Sequence, residues 1–94
     1  MSKAIEIPPD LAGRIELVGR TAFGRHWHGA VAEGLGIHRA TLWRWLSGDR
    51  PARDVDSDLI ALLAAERRRA GRRAVDIAAA QRALAAHINI SRSN

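Results

Sequence analysis

Arg39, Ala40, Trp43 and Arg44 are spaced to share the outer flank of one short helix, with Leu42 and Trp45, three residues apart, on its inner face. Two guanidiniums on a short convex rod suit one kind of chemistry. Each presents a planar fork of N–H donors that matches phosphate oxygens or the O6 and N7 edge of guanine in a major groove. Trp43 cannot make a bidentate purine contact. Its indole suits either a thymine methyl or sugar surface, or an apolar contact elsewhere in the protein. No other group of residues competes as a chemical centre. No nucleophile stands beside a base at motif spacing, no carboxylate pair lies in an apolar setting, and no phosphate-cradling glycine loop precedes a helix. His26 and His28 are two residues apart, so on a helix they point about 200° from one another, and neither has a ligand partner four residues on. The chain is therefore expected to be no enzyme, to hold no metal or cofactor and to take no small-molecule substrate.

The elements that must position these residues are helical throughout. Alanine, leucine and arginine dominate the periodic stretches, and β-branched alternation over four or more residues never occurs. Pro8-Pro9-Asp10 predicts the start of a first helix, with Asp10 as its cap and Leu11, Ile15 and Val18 on its apolar face; the period fades near Thr21–Gly24. A second helix is expected from about Arg25 to Glu33, ending at Gly34-Leu35-Gly36, where Gly36 can take a positive φ. A third runs from about His38 to Leu46 and stops at Ser47-Gly48-Asp49-Arg50-Pro51. Val31, Ala32, Leu35, Ile37, Leu42 and Trp45 fall where two crossing helices must bury them, and Trp27 joins that core.

From about Asp56 to Ile88 the sequence is helical again, with Asp54, Asp56 and Asp58 crowding its start and Gly71 as a point of kink or break. Ile60, Leu63, Arg67, Ala70, Ala74, Ile77, Gln81, Leu84 and Ile88 follow a 3-4 spacing that resembles a short coiled-coil seam. Three short helices cannot cover so long a stripe, which points to a homodimer held through Ile77, Gln81, Leu84 and Ile88. The run Glu66-Arg67-Arg68-Arg69-Ala70-Gly71-Arg72-Arg73 carries a net +4. It is either a second phosphate-binding patch or a solvated helix face with Asp76 near Arg72 and Arg73, and the second alternative is favoured.

Ninety-four residues fit one small domain with an appended helix, and 47 % apolar content is too high for a disordered chain. No apolar run reaches the roughly 20 residues of a bilayer span, and the first ten residues lack the apolar centre of a secretory signal. With no cysteine there is no disulfide framework, so a cytoplasmic protein away from membranes is expected. The net charge of +5 suits a phosphate-bearing partner, and it accumulates from the middle of the chain onward: net zero over residues 1–24, +2 over 25–54 and +3 over 55–94. The expected layout is an arm at 1–9, a domain at 10–65, a helical dimerisation region at 66–90 and a disordered tail at 91–94.

The stretch His28-Gly29-Ala30-Val31-Ala32-Glu33-Gly34-Leu35-Gly36-Ile37-His38-Arg39-Ala40-Thr41-Leu42-Trp43-Arg44-Trp45-Leu46-Ser47-Gly48 resembles the helix-turn-helix of phage-repressor (Cro-like) DNA-binding domains. The likeness extends over about residues 10–65. It implies an all-α, four- to five-helix bundle containing a helix-turn-helix, with the C-terminal helical extension appended, acting as a transcriptional regulator on double-stranded DNA. By the same resemblance Arg39, Ala40, Trp43 and Arg44 are base readers and His28 is a backbone anchor; beside it, His38, Thr41, Arg25 and Arg50 are expected on phosphates. His38 departs from the Ser or Thr that caps the recognition helix in many relatives. Either Thr41 compensates or His38 itself meets DNA. A homodimer of such domains would meet half-sites about 34 Å apart in an inverted repeat. Repression is implied by the resemblance alone. The alternative from another class is a protein-interaction module, an antitoxin or antirepressor partner, that keeps the fold and binds through Trp43 and the C-terminal helix.

Overall fold

Asp10 opens the first helix as its sequence suggests: its carboxylate accepts the Gly13 N–H at 3.1 Å and α1 runs Leu11–Phe23. The computed structural model describes residues 5–93. Among them are four α-helices, one short 3-10 turn and no strand. Arg14, one turn into α1, donates to the carbonyls of Pro8 and Pro9, which ties down the segment before the helix. Met1 to Ala4, most of the expected arm's first half, lie outside the described residues.

The second helix begins later than the sequence suggests. Gly24 takes φ 77°, and Gly24–His26 wind a 3-10 turn before α2 spans His28–Leu35. Arg25 and His26 therefore belong to the turn, and the extra bend lets Trp27 swing inward to 2 % exposure. Its indole lies where a Cβ on Gly19 of α1 would collide, so this approach requires a glycine. The end also differs. The difference is only in extent: Gly34 and Leu35 are still helical, and Gly36, at φ 68°, turns left-handed as its position suggests. Ile37 N–H then bonds back to the Ala32 carbonyl at 3.0 Å, which closes a Schellman turn, and Ile37 packs partly buried against the core.

Helix α3 spans Arg39–Leu46, with His38 in the extended cap conformation and Gly48 at φ 109° after its last turn. Helix α4 spans Val55–Ser93. Asp54 caps its start, accepting from the Ser57 N–H at 3.1 Å and the Ser57 hydroxyl at 2.6 Å, and these bonds hold its carboxyl below the ordinary aspartate range. Gly71 neither breaks nor ends α4. A single glycine costs about 1 kcal/mol relative to alanine, too little to interrupt a helix flanked by alanine, arginine and leucine. The helix also continues to Ser93, past the point where a frayed tail is expected, and Asn94 lies outside the described residues.

The chain forms two compact units, Met1–Ala64 and Ala65–Asn94. The first holds the entire buried core: Ile15 and Val18 of α1, Trp27, Val31, Ala32 and Leu35 around α2, Leu42 and Trp45 of α3, and Val55, Leu59 and Leu62 of α4. Ile60 and Leu63, the first two positions of the expected seam, line an apolar cleft of this unit with Ile7 and Leu17. Two long-range arginine bonds tie the start of α4 to the rest of this unit. Arg14 pairs with Asp56 at 2.8 Å, while Arg53 pairs with Asp58 and donates to the Leu35 carbonyl at 3.3 Å, where a cation suits a helix C-terminus. No described residue of the second unit is buried. No helix among the described residues is long and apolar enough to cross a membrane.

Candidate nucleic-acid interface

Two buried side chains fix which way α3 faces. Leu42 is 0 % exposed and Trp45 is nearly as enclosed, so Arg39, Ala40, Trp43 and Arg44 are turned to solvent. Thr41 is half-buried between the two flanks, and its hydroxyl accepts from Arg44 at 3.4 Å. His38 caps α3 only with its backbone. Its carbonyl accepts the Leu42 N–H, and its exposed imidazole makes no capping bond. Thr41 bonds Arg44 and does not replace the missing cap.

Three of the expected site residues meet at the start of α2. The Arg39 guanidinium lies across Gly29, where any Cβ would collide with it, which makes Gly29 the residue that leaves room for Arg39. Next to Gly29, the His28 imidazole is sandwiched between two indoles. Its centroid is 3.9 Å from that of Trp27 and 4.7 Å from that of Trp43, with planes within 21° and 18° of parallel. Trp43 thus rests one face on His28 and is still 53 % exposed. His28 lies half-buried between the two indoles at the N-terminal end of α2. The Trp27 Nε1 hydrogen has no partner among the described residues. Sequence reasoning missed both Gly29 and the triple stack. The stack joins residues on two helices, and no spacing rule along a single helix signals it.

The charges sort by position. Arg14, Arg20 and Arg53 each pair with a carboxylate at 2.7–2.8 Å. Arg25, Arg39, Arg44 and Arg50 make no ion pair among the described residues, and all four are exposed in or beside the α2–α3 segment. Arg25 sits in the 3-10 turn and Arg50 in the loop after α3, and no bond joins either to the Arg39 cluster. Four guanidiniums without carboxylate partners on one segment can donate to phosphate oxygens with no ion pair to break first.

The expected dimerisation residues lie in the other unit. Ile77 (65 % exposed), Leu84 (60 %), Gln81 and Ile88 lie along one side of α4 and are exposed among the described residues. In the arginine run it is Glu66, not Asp76, that supplies the negative charge. It takes Arg69 at 3.2 Å and Arg73 at 3.5 Å. No group of three or more potential metal ligands occurs among the described residues. Comparisons of the chain with known protein families, with curated proteins and with solved structures find no match.

Proposed function

We propose that the chain is a sequence-specific binder of double-stranded DNA that regulates transcription in the cytoplasm as a homodimer. Helices α2 and α3 act as a helix-turn-helix, with α3 in the major groove. Arg39 and Arg44 read base edges or clamp phosphates, Ala40 lets the rod approach closely, and Trp43 packs on sugar or thymine methyl atoms. Arg25, Arg50, His38 and Thr41 border the backbone. His28 serves chiefly as the plate that fixes Trp43 and the α2 start. One observation carries this reading: the arginines of the first unit that lack carboxylate partners are those of the α2–α3 segment and its flanks, while Arg14, Arg20 and Arg53 are neutralised within the fold. The uncovered stripe at Ile77, Gln81, Leu84 and Ile88 supports pairing of two copies, and such a pair would select an inverted repeat.

Selection from a random duplex pool with the purified full chain tests this. A consensus with two inverted half-sites about one helical turn apart is expected; a pool that emerges without consensus contradicts it. The exposed Trp43 indole favours one other reading, a protein-interaction module that binds a partner through that face. Duplex affinity that is insensitive to salt would move the balance to that reading.

A further inference from the structure

Formal charge divides sharply between the two units. Residues 1–64 hold eight basic and eight acidic side chains, whereas residues 65–94 hold seven and two. The whole net charge of +5 therefore resides in the second unit, and the unit that carries α3 is neutral overall. A neutral unit can read a groove at short range, but it contributes little long-range attraction toward a polyanion.

Within the second unit the positive charge is not evenly available. Glu66 engages Arg69 and Arg73, while Arg67, Arg68 and Arg72 make no ion pair among the described residues. Arg67, Arg68 and Arg72 line a shallow open groove of about 490 Å³ together with Gly71, Val75 and the acidic Asp76, and most of its exposed lining is carbon, from side-chain stems and Val75. Nothing lies within 4 Å of where a Gly71 Cβ would stand. This glycine is not required by packing, and it is a poorer helix former than alanine would be. It leaves open space between the arginines, whose guanidiniums must supply the donors because backbone N–H groups inside a helix are already bonded. At 100° per residue, Arg68 and Arg72 lie on the side of α4 opposite Ile77, Gln81, Leu84 and Ile88, so pairing along that stripe leaves these two free, while Arg67 flanks the stripe.

We infer that this groove, Arg67, Arg68 and Arg72 around Gly71, is a second phosphate-backbone site that gives the protein its sequence-independent affinity for duplex DNA. The choice of occupant rests on the reading of the chain as a duplex binder. The groove itself does not, because it is defined by the unpaired guanidiniums. An anionic membrane is the poorer occupant, since no Trp, Phe or Tyr occurs after Trp45 to anchor the helix at an interface.

The test measures affinity of the full chain for a short mixed-sequence duplex across a sodium chloride series. Two variants remove the same charge, Arg68→Ala/Arg72→Ala and Arg69→Ala/Arg73→Ala. The first is expected to reduce the log–log salt slope by about 1.8, about 0.9 for each phosphate no longer neutralised, and the second by less than half as much. Arg68→Lys/Arg72→Lys should keep most of the slope, and circular dichroism should show unchanged helix in all three. Equal reductions in the two alanine variants would mean that net charge alone matters and would overturn the site, as would an unchanged slope in the first. Tighter binding of the wild type to anionic vesicles than to duplex at matched salt would also overturn it. A selected pool without consensus, together with a slope reduction confined to Arg68 and Arg72, would sink the sequence-specific function and leave this groove standing.

Discussion

The first unit, through Ala64, and the second, from Ala65 on, draw on the same alanine, leucine and arginine, yet they use them in opposite ways. In the first, eleven apolar residues are buried around Trp27, Val31 and Leu42, and arginines at 14, 20 and 53 are matched by carboxylates. In the second, every large apolar side chain from Val75 to Ile90 that is described is exposed, and Arg67, Arg68 and Arg72 make no ion pair among the described residues. The difference teaches that the buried core is confined to one length of chain, and under the proposed function the other is left for association. The first unit buries its own core and leaves Arg39 and Arg44 exposed on α3, the face the proposed function assigns to recognition. The second keeps its apolar and cationic side chains exposed among the described residues, and the proposed pairing and DNA contact would cover them.

The largest expected effect sharpens that contrast directly. Leu42→Ala should destabilise the protein by about 2–5 kcal/mol, because it opens a cavity in a fully enclosed site. Leu84→Asp with Ile88→Asp should leave the main urea transition in place and give monomers in sedimentation. A wild type that is already monomeric, or a double variant that unfolds with Leu42→Ala, would erase the contrast.

The next effect is on recognition. Arg39→Ala should cost about 1–3 kcal/mol on the preferred duplex and relax preference at one base pair, as measured by titration against single-base variants. Uniform weakening on all duplexes would make Arg39 a phosphate clamp. A smaller and more diagnostic change is Gly29→Ala. Alanine is the better helix former by up to about 1 kcal/mol, so thermal stability should hold or rise, while its methyl displaces the Arg39 guanidinium and duplex affinity falls. If affinity is unchanged, the position of Arg39 over α2 does not matter for binding.

The smallest effect concerns acid. The bonds from Ser57 lower the Asp54 pKa in the folded state, so the stability it adds is present above the ordinary aspartate range and is lost as pH falls through its depressed value. Asp54→Asn keeps a capping oxygen and should flatten that part of the stability–pH curve below about pH 4. A curve identical to the wild type would show that the cap contributes nothing titratable.

Much of the fold could be read from the sequence because it rests on local rules. Asp10 before an apolar period, Gly36 and Gly48 after one, and the three-residue interval from Leu42 to Trp45 each set a helix end or a buried face over a few residues. The outward set Arg39, Ala40, Trp43 and Arg44 follows from the same interval. What could not be read depends on distant partners or on a turn that resets direction. Arg14 meets Asp56 across 42 residues, and Arg53 reaches Leu35 across 18. The 3-10 turn at Gly24 shifts the α2 start from Arg25 to His28, because one positive φ outweighs the helix propensity of the residues that follow. His28 shows the limit most clearly. The family resemblance makes it a phosphate anchor, and its place between Trp27 and Trp43 comes only from the packing of two helices.

Whether the outward face of α3 touches DNA decides the function proposed for this chain. Backbone amide and arginine side-chain shifts, followed by NMR while the full chain is titrated with its selected duplex, test it most directly. The largest changes are expected at Arg39, Ala40, Trp43, Arg44 and the neighbouring His28–Gly29 turn, with further changes at Arg68 and Arg72 that fade first as salt is raised. Changes confined to residues 65–90, with α3 unmoved at saturating duplex, would contradict it.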